Sequence, residues 1–528
     1  MSVQKAREER EHYLKLIFKS SLLFFVGLAF AKLCNYGYRI LIARELGPAE
    51  YGLFSISVMV AGWFMALSTL GLNEGLLRYI PHYKGTREQK KIAYLLSLSS
   101  RFLLCSSLFA GIILFFSAPF IATHFFHTTA LIPYLRLFSL SVPLLVLAHP
   151  FLALMRSYGY VGEYSFFFNI IQSGVKLLLL FLFLRVGIVF AVPYSYLIGL
   201  AFVTVGTYLF CRYRLPLLFV KHALGVSTRA RVSSQLYRYS LPLLLTAIVS
   251  TLFYWIDTFS LGYYRDPVAV GLYNAAIPLA ALLAIVPELF VQLFFPLINQ
   301  QYAQKKIALI ASLSTQVTHW ILLSTLPLLV TLLLIPAELL YTFFGLTYTP
   351  AAPALRLLAV SALFSALGVV ASQLINMTGK TRIQLTLVLC SSVLNLALNS
   401  LFIPQATLFG FANASGLLGA AFATTLSILF LTSSLYWHVW RYTSIVPLGK
   451  SSLQVLLAGI IAYACGYWFV HLYTFPTALH TSILTLLVVL LVYAFALILV
   501  GAFAEGEKII VKALVRKLGL TTVVMKSE

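Results

Sequence analysis

The chain has 528 residues, 61% of them hydrophobic and only 10% charged, with a mean hydropathy of +0.94. So few charges cannot coat a soluble globule, where roughly 25% is usual, and so apolar a composition excludes disorder. The net charge of +22 would suggest nucleic acid in a soluble protein, but in a polytopic membrane protein it has a plainer source in basic cytoplasmic loops, and no nucleic-acid partner is expected.

A membrane-spanning helix takes about 20 mostly apolar residues. Segments of that kind are predicted at 20–42, 52–74, 92–118, 132–155, 164–184, 186–210, 239–261, 268–298, 313–335, 350–376, 383–403, 415–437, 452–473 and 479–503. The expected fold is therefore all-α and polytopic, with about 14 transmembrane helices. The first apolar run continues to Ile42, too long for the h-region of a signal peptide. The five cysteines show neither close pairing nor zinc-ligand spacing, and read as small apolar packing residues.

Lys and Arg collect on one side. The N-terminal tail, the loops after even-numbered spans and the C-terminal tail carry 28 of the 37, and the opposite side carries only Arg44, Arg185 and Arg265. Cytoplasmic loops are the ones enriched in Lys and Arg. The expected location is the cell (cytoplasmic) membrane, with both termini cytoplasmic. The tail from Glu505 to Leu518 alternates basic and apolar residues, which suits a helix lying on anionic lipid or an ordinary solvated tail.

The chain resembles itself at an offset near 220. Leu135-Arg136-Leu137 returns as Leu355-Arg356-Leu357, and Gly159 returns as Gly379. Leu197-Ile198-Gly199-Leu200-Ala201-Phe202 returns as Leu417-Leu418-Gly419-Ala420-Ala421-Phe422, and Gly52-Leu53-Phe54 as Gly271-Leu272-Tyr273. Six spans separate the copies, so they are parallel repeats, a plan that places substrate near the midplane between rocking halves. The expected organisation is a tail (1–19), an N-terminal six-helix lobe (20–210), a basic linker (211–238), a C-terminal six-helix lobe (239–440), helices 13 and 14 (441–504) and a basic tail (505–528).

Six bases lie inside predicted spans: Lys32, Arg39, Arg101, Arg136, Lys176 and Arg356. Each costs about 2.5–3.5 kcal/mol at a helix centre and calls for a reason. Lys32 and Arg39 are seven residues apart, two turns on one helix face. Arg136 and Arg356 occupy equivalent repeat positions, which argues for an architectural role. The acids within spans are Glu74, Asp257 and Glu288. Pro287 is expected to kink its helix and free backbone carbonyls beside Glu288. There, and at Asp257, a carboxylate could hold sodium or a proton, or pair with an intramembrane base. Asn35, Gln172, Gln292, Asn376, Asn395 and Asn399 could line a sugar path or serve helix packing.

Two local motifs narrow the reading. Ala43-Arg44-Glu45-Leu46-Gly47-Pro48-Ala49-Glu50-Tyr51-Gly52 follows span 1, and Gly71-Leu72-Asn73-Glu74-Gly75-Leu76-Leu77-Arg78-Tyr79-Ile80-Pro81 closes span 2. At this spacing the chain resembles the polysaccharide transporter (O-antigen-type lipid-linked oligosaccharide flippase) family of the multidrug/oligosaccharidyl-lipid/polysaccharide flippase superfamily. The motifs also have physical readings: Leu46-Gly47-Pro48 as a tight turn, Gly71 and Gly75 as a smooth packing face, and Arg78 as a snorkelling interfacial base.

The resemblance implies a flippase, not an enzyme, that moves a polyprenyl-diphosphate-linked glycan to the outer leaflet by alternating access. Its partners would be that lipid, the membrane lipids and polysaccharide glycosyltransferases or a polymerase. Lys32, Arg39, Arg101 and Lys176 are then the candidate diphosphate-binding residues, since Arg grips phosphate bidentately. Arg136, Arg356 and Arg78 are secondary cations, and Asp257 and Glu288 the candidate ion-coupling acids. No cofactor and no metal are expected, apart from sodium or protons as coupling ions. A lipid II-type flippase and a multidrug extrusion antiporter are the alternatives within this fold. A twelve-span facilitator fails because the loop after span 2 lacks a Gly-x-x-x-Asp-Arg-x-Gly pattern, and Gly449-Lys450-Ser451 lacks the earlier glycine of a phosphate-binding loop.

Overall fold

The computed structural model describes residues 3–220, 224–408, 410–413, 416–473 and 477–502, with the side chains of 3–25, 246, 291–293 and 296 outside the description. The Gln292 side chain and the basic tail from Glu505 therefore lie outside the description. Packing divides the chain into two units, Met1–Gly271 and Leu272–Glu528.

The first unit holds α1 (Val3–Thr69), α2 (Leu72–Gly85), α3 (Gln89–Phe120), α4 (Leu131–Ser139), α5 (Ser141–Tyr158), α6 (Val161–Ser165), α7 (Gln172–Val186), α8 (Ala191–Arg214) and α9 (Val226–Tyr264). Thirteen segments of the described chain are long and apolar enough to cross a membrane. The first of these, Val26–Thr69, spans 44 residues, about 66 Å if straight and twice what a bilayer needs. It is not straight. Gly47 has φ 81° and ψ 179°, a backbone conformation that glycine adopts without a Cβ penalty. The rings of Tyr38 and Phe54 lie 5.7 Å apart, whereas sixteen residues of unbroken helix would part them by about 24 Å. The segment is a hairpin of two spans, which brings the total to the fourteen expected.

Apolar residues from four helices close the core at one end of this unit. Leu72, Leu76 and Ile80 of α2 pack with Leu95 and Leu103 of α3, Leu154 of α5 and Leu236 of α9. Much of the expected linker is helical, because α9 begins at Val226 and runs for 39 residues. That helix, assigned to the second lobe by the repeat, packs within the first unit.

α10 (Pro267–Ala281) begins in the first unit and ends in the second, followed by α11 (Ile285–Ala303), α12 (Ile307–Leu334), α13 (Pro336–Phe344), α14 (Ala352–Met377), α15 (Thr381–Phe402), α16 (Leu417–Thr443), α17 (Lys450–Leu472) and α18 (Ala478–Val500). Ile298, Ile310, Ile321, Val370, Leu374 and Val439 form a core from α11, α12, α14 and α16. The Tyr493 hydroxyl of α18 donates to the Leu323 carbonyl of α12 at 3.1 Å, fixing the last helices to this unit. Between α10 and α11 the chain tightens into a 3₁₀ turn at Leu282–Ala284. Pro287, which offers no N–H to the Leu283 carbonyl, accounts for the break. The one strand pairing among the described residues is a two-residue antiparallel ladder, Thr407–Leu408 with Phe411–Ala412, between α15 and α16.

The repeat is visible in three dimensions. Leu135 and Leu355 are both fully buried, while Arg136 and Arg356 beside them are both exposed. Gly159 and Gly379 each close a helix with positive φ, at 87° and 77°. Gly199 packs its backbone on Lys176 and Gln172 of α7, and Gly419 packs on Phe402 of α15, so equivalent glycines meet equivalent helices, though at different residues along them.

Candidate functional site

Among the intramembrane bases, the structure brings two together. Lys32, Asn35 and Arg39 recur every three to four residues on the first arm of the α1 hairpin, and so share a face. Lys176 comes from α7, immediately after the π-helical turn Phe166–Ile171, a distortion common at functional sites. The Lys176 ammonium donates to the Asn35 side-chain oxygen. Asn35 is oriented in turn by its amide nitrogen, which donates to the Ala31 carbonyl at 2.7 Å and to Ser173 Oγ at 3.3 Å.

The ammonium sits over two aromatic faces, 5.1 Å from the Tyr38 ring centre and 5.5 Å from that of Tyr196. Both rings are held in place. The Tyr38 hydroxyl donates to the Val192 carbonyl at 2.9 Å and lies 3.1 Å from Ser195 Oγ. Tyr196 leans on Phe138 and Phe54, at 5.1 and 6.2 Å. Lys176 is only 8% exposed, and among the described residues no carboxylate lies against it. Its charge is met by an amide oxygen and two π faces.

Arg39 lies near enough for the two charges to repel. It is half-buried and hydrogen-bonded to the hydroxyl of Tyr51, from the second arm of the hairpin. Tyr36 and Tyr254, the latter on α9, also lie within reach of its charge. The hairpin at Gly47 makes this possible by folding Tyr51 back beside Arg39. The product is a fixed concentration of positive charge among phenols and amides, suited to an anion with many acceptor oxygens.

The other predicted residues lie elsewhere. Lys32 is half-buried one helical turn from Asn35. Arg101 is exposed and lines a separate cavity with Arg229. Nineteen uncharged residues, Phe102–Phe120, follow it in α3, about 28 Å of helix, long enough to cross the hydrocarbon without it. Arg136 is exposed with its guanidinium 5.3 Å from the Phe115 ring centre. Arg356 is exposed and its Nε donates to the Leu333 carbonyl at 2.9 Å, an otherwise orphaned acceptor at the end of α12. Arg78 is exposed and stacks on Tyr239 at 4.3 Å. Asp257 is half-buried on α9 in the first unit, and Glu288 is exposed on α11 in the second.

Sequence reasoning missed the tyrosines. Tyr36-Gly37-Tyr38-Arg39 interleaves aromatic and basic residues, a signal that was present, but Tyr51, Tyr196 and Tyr254 join the site only through folding.

A family model described as polysaccharide biosynthesis protein matches residues 17–302, more than half of the chain, and one described as MatE matches residues 242–401. An uncharacterized membrane protein of Methanocaldococcus jannaschii is 22% identical over 449 residues, covering 81% of this chain and 84% of that protein. Among solved structures, the lipid II flippase MurJ in an inward closed conformation superposes with a TM-score of 0.69 at 14% identity, covering 90% of this chain and 98% of that one. An inward-facing multidrug resistance MATE family transporter of the MOP superfamily superposes with a TM-score of 0.63 at 15% identity, covering 79% and 98%. At these identities the structural likeness is one of fold.

Proposed function

The chain belongs to the polysaccharide biosynthesis protein family of the multidrug/oligosaccharidyl-lipid/polysaccharide flippase superfamily, and from that premise we propose that it carries a polyprenyl-diphosphate-linked oligosaccharide from the cytoplasmic to the outer leaflet by alternating access. The observation that supports this reading is the cluster of Arg39 and Lys176 in a membrane-spanning lobe, surrounded by hydroxyls and amides with no carboxylate, among the described residues, against the ammonium. Two cations held together without a counterion are costly, and an arriving diphosphate relieves that cost.

Arg39 is the contact residue, since it is half-buried and carries five donors in a fork. Lys176, sealed beneath Tyr38 and Tyr196, supplies positive potential behind it. Lys32, on the same face, extends the positive track along the first arm. Asp257 or Glu288 couples the cycle to sodium or protons, and the basic tails and linker face the cytoplasm. Polysaccharide glycosyltransferases or a polymerase are the partners that would hand over or consume the glycan.

A lipid II-type substrate is the second reading. It is favoured by the share of the chain covered by the MurJ fold, 90% against 79% for the MATE transporter. Extrusion of cationic drugs fits a positive site poorly.

The test is reconstitution in vesicles with a fluorescent polyprenyl-diphosphate sugar. A hydrogen bond to a charged group contributes about 1.5–3 kcal/mol, so Arg39→Gln should slow translocation by about 10- to 150-fold. Full translocation by Arg39→Gln and Lys176→Gln together would overturn the assignment. A lipid II analogue moved faster than the oligosaccharide lipid would favour the second reading.

A further inference from the structure

Away from the Arg39 cluster, the first unit contains a cavity of about 780 Å³ between α3, the end of α8 with its following 3₁₀ turn Pro216–Phe219, and the start of α9. Arg101 and Arg229 both line it, together with Tyr94, Ser97, Tyr208 and Phe219, and no acidic residue is among the lining residues. Among the described residues, neither guanidinium has a carboxylate partner. The Tyr94 hydroxyl lies 3.0 Å from Ser233 Oγ, and the Tyr208 hydroxyl accepts from Arg212 at 2.9 Å. One wall is aromatic, with Tyr208 and Phe219 5.8 Å apart.

Height in the bilayer follows from the sequence. The uncharged stretch of α3 after Arg101 is about as long as the hydrocarbon core is thick, and Arg229 lies three residues into α9. The cavity therefore sits at headgroup level on the side bearing the basic linker. Below Arg101, α3 presents Leu104, Leu108, Ile112 and Phe116, exposed by 40%, 44%, 55% and 75%. At three- and four-residue spacing, these lie on the same helix face as Arg101. A positive, hydroxyl-lined pocket thus opens onto an apolar stripe directed toward the membrane centre, the two chemistries of a phospholipid in the order a phospholipid presents them.

We propose that this cavity is a binding site for an anionic phospholipid of the leaflet on the linker's side. The phosphate lies between the Arg101 and Arg229 guanidiniums, and an acyl chain lies along the exposed face of α3. Free phosphate shares the headgroup chemistry but has no use for the stripe.

The full chain would be placed in nanodiscs of phosphatidylglycerol and phosphatidylcholine, extracted into mild detergent, and its retained lipid measured by native mass spectrometry. The wild type should keep phosphatidylglycerol in preference to phosphatidylcholine. Arg101→Gln with Arg229→Gln should lower that retention at least tenfold. Ser97→Trp, which fills the cavity and leaves both guanidiniums, should do the same and decides the matter if the double variant fails to fold. Arg101→Lys should restore part of the binding. Equal retention by all the variants, equal retention of phosphatidylcholine, or complete displacement by millimolar inorganic phosphate would each overturn the proposal.

Discussion

Gly52 and Gly271, a repeat pair, face each other across a helix crossing within the first unit. A Cβ built on Gly52 would stand 1.7 Å from the Pro267 carbonyl oxygen, and one built on Gly271 would stand 1.9 Å from the Pro48 carbonyl oxygen. Ordinary contact begins at 3.4 Å, and both obstacles are backbone, so no side-chain rotation relieves them. Gly52→Ala must drive the two backbones apart by about 1.5 Å along their line of contact. Overpacking of this kind costs about 1–3 kcal/mol, and a shift shared by two helices belongs at the upper end. Alanine returns about 1 kcal/mol of helix propensity, leaving about 2 kcal/mol of destabilisation. For a cooperative unit of this size that is a fall in Tm of about 4 °C, read from thermal unfolding in detergent. Gly271→Ala should behave alike. Both substitutions demand the same separation, so the double variant should lose clearly less than the sum of the singles. Gly37→Ala, whose Cβ would meet only the Leu177 side chain at 3.5 Å, is the control and should not fall. A Gly52→Ala protein melting within about 1 °C of wild type, or a double variant losing the full sum, would refute the close crossing.

Lys176→Met removes a buried ammonium that no carboxylate neutralises among the described residues, so stability should stay within about 1 kcal/mol of wild type or rise, while translocation in the vesicle assay falls about tenfold. A variant that unfolds instead would make Lys176 a structural residue. Tyr134, only 4% exposed, donates its hydroxyl to the Glu50 carboxylate across the first unit. Tyr134→Phe should therefore cost about 1.5–3 kcal/mol, measured by the same thermal scan, and an unchanged Tm would show that the bond carries no weight.

Much of the fold follows from properties local to the chain. Span number, the break at Gly47-Pro48 and the 3₁₀ turn ahead of Pro287 depend on the run of apolar residues and on proline and glycine geometry, which are encoded over a few neighbours. The repeat is likewise a one-dimensional pattern, and most of its paired residues, Leu135 with Leu355 and Arg136 with Arg356 among them, keep the same burial in space. The site was half legible. A lysine or arginine in an apolar run stands out because its burial is costly, and this marked Arg39 and Lys176. It marked Arg101 equally, although that residue lines a separate cavity with Arg229, because hydropathy alone does not say which cations the packing of helices brings together.

Sequence by itself determined that this chain is a fourteen-span membrane protein with two similar halves and a surplus of positive charge. Only tertiary structure decided which charges meet. Arg39 and Tyr51 are joined by a backward fold at Gly47, and Lys176 reaches Asn35 and Tyr38 from a helix more than a hundred residues away. Such encounters depend on which face each helix turns toward its neighbours, and that is fixed by packing of whole helices, not by any stretch of residues read in order.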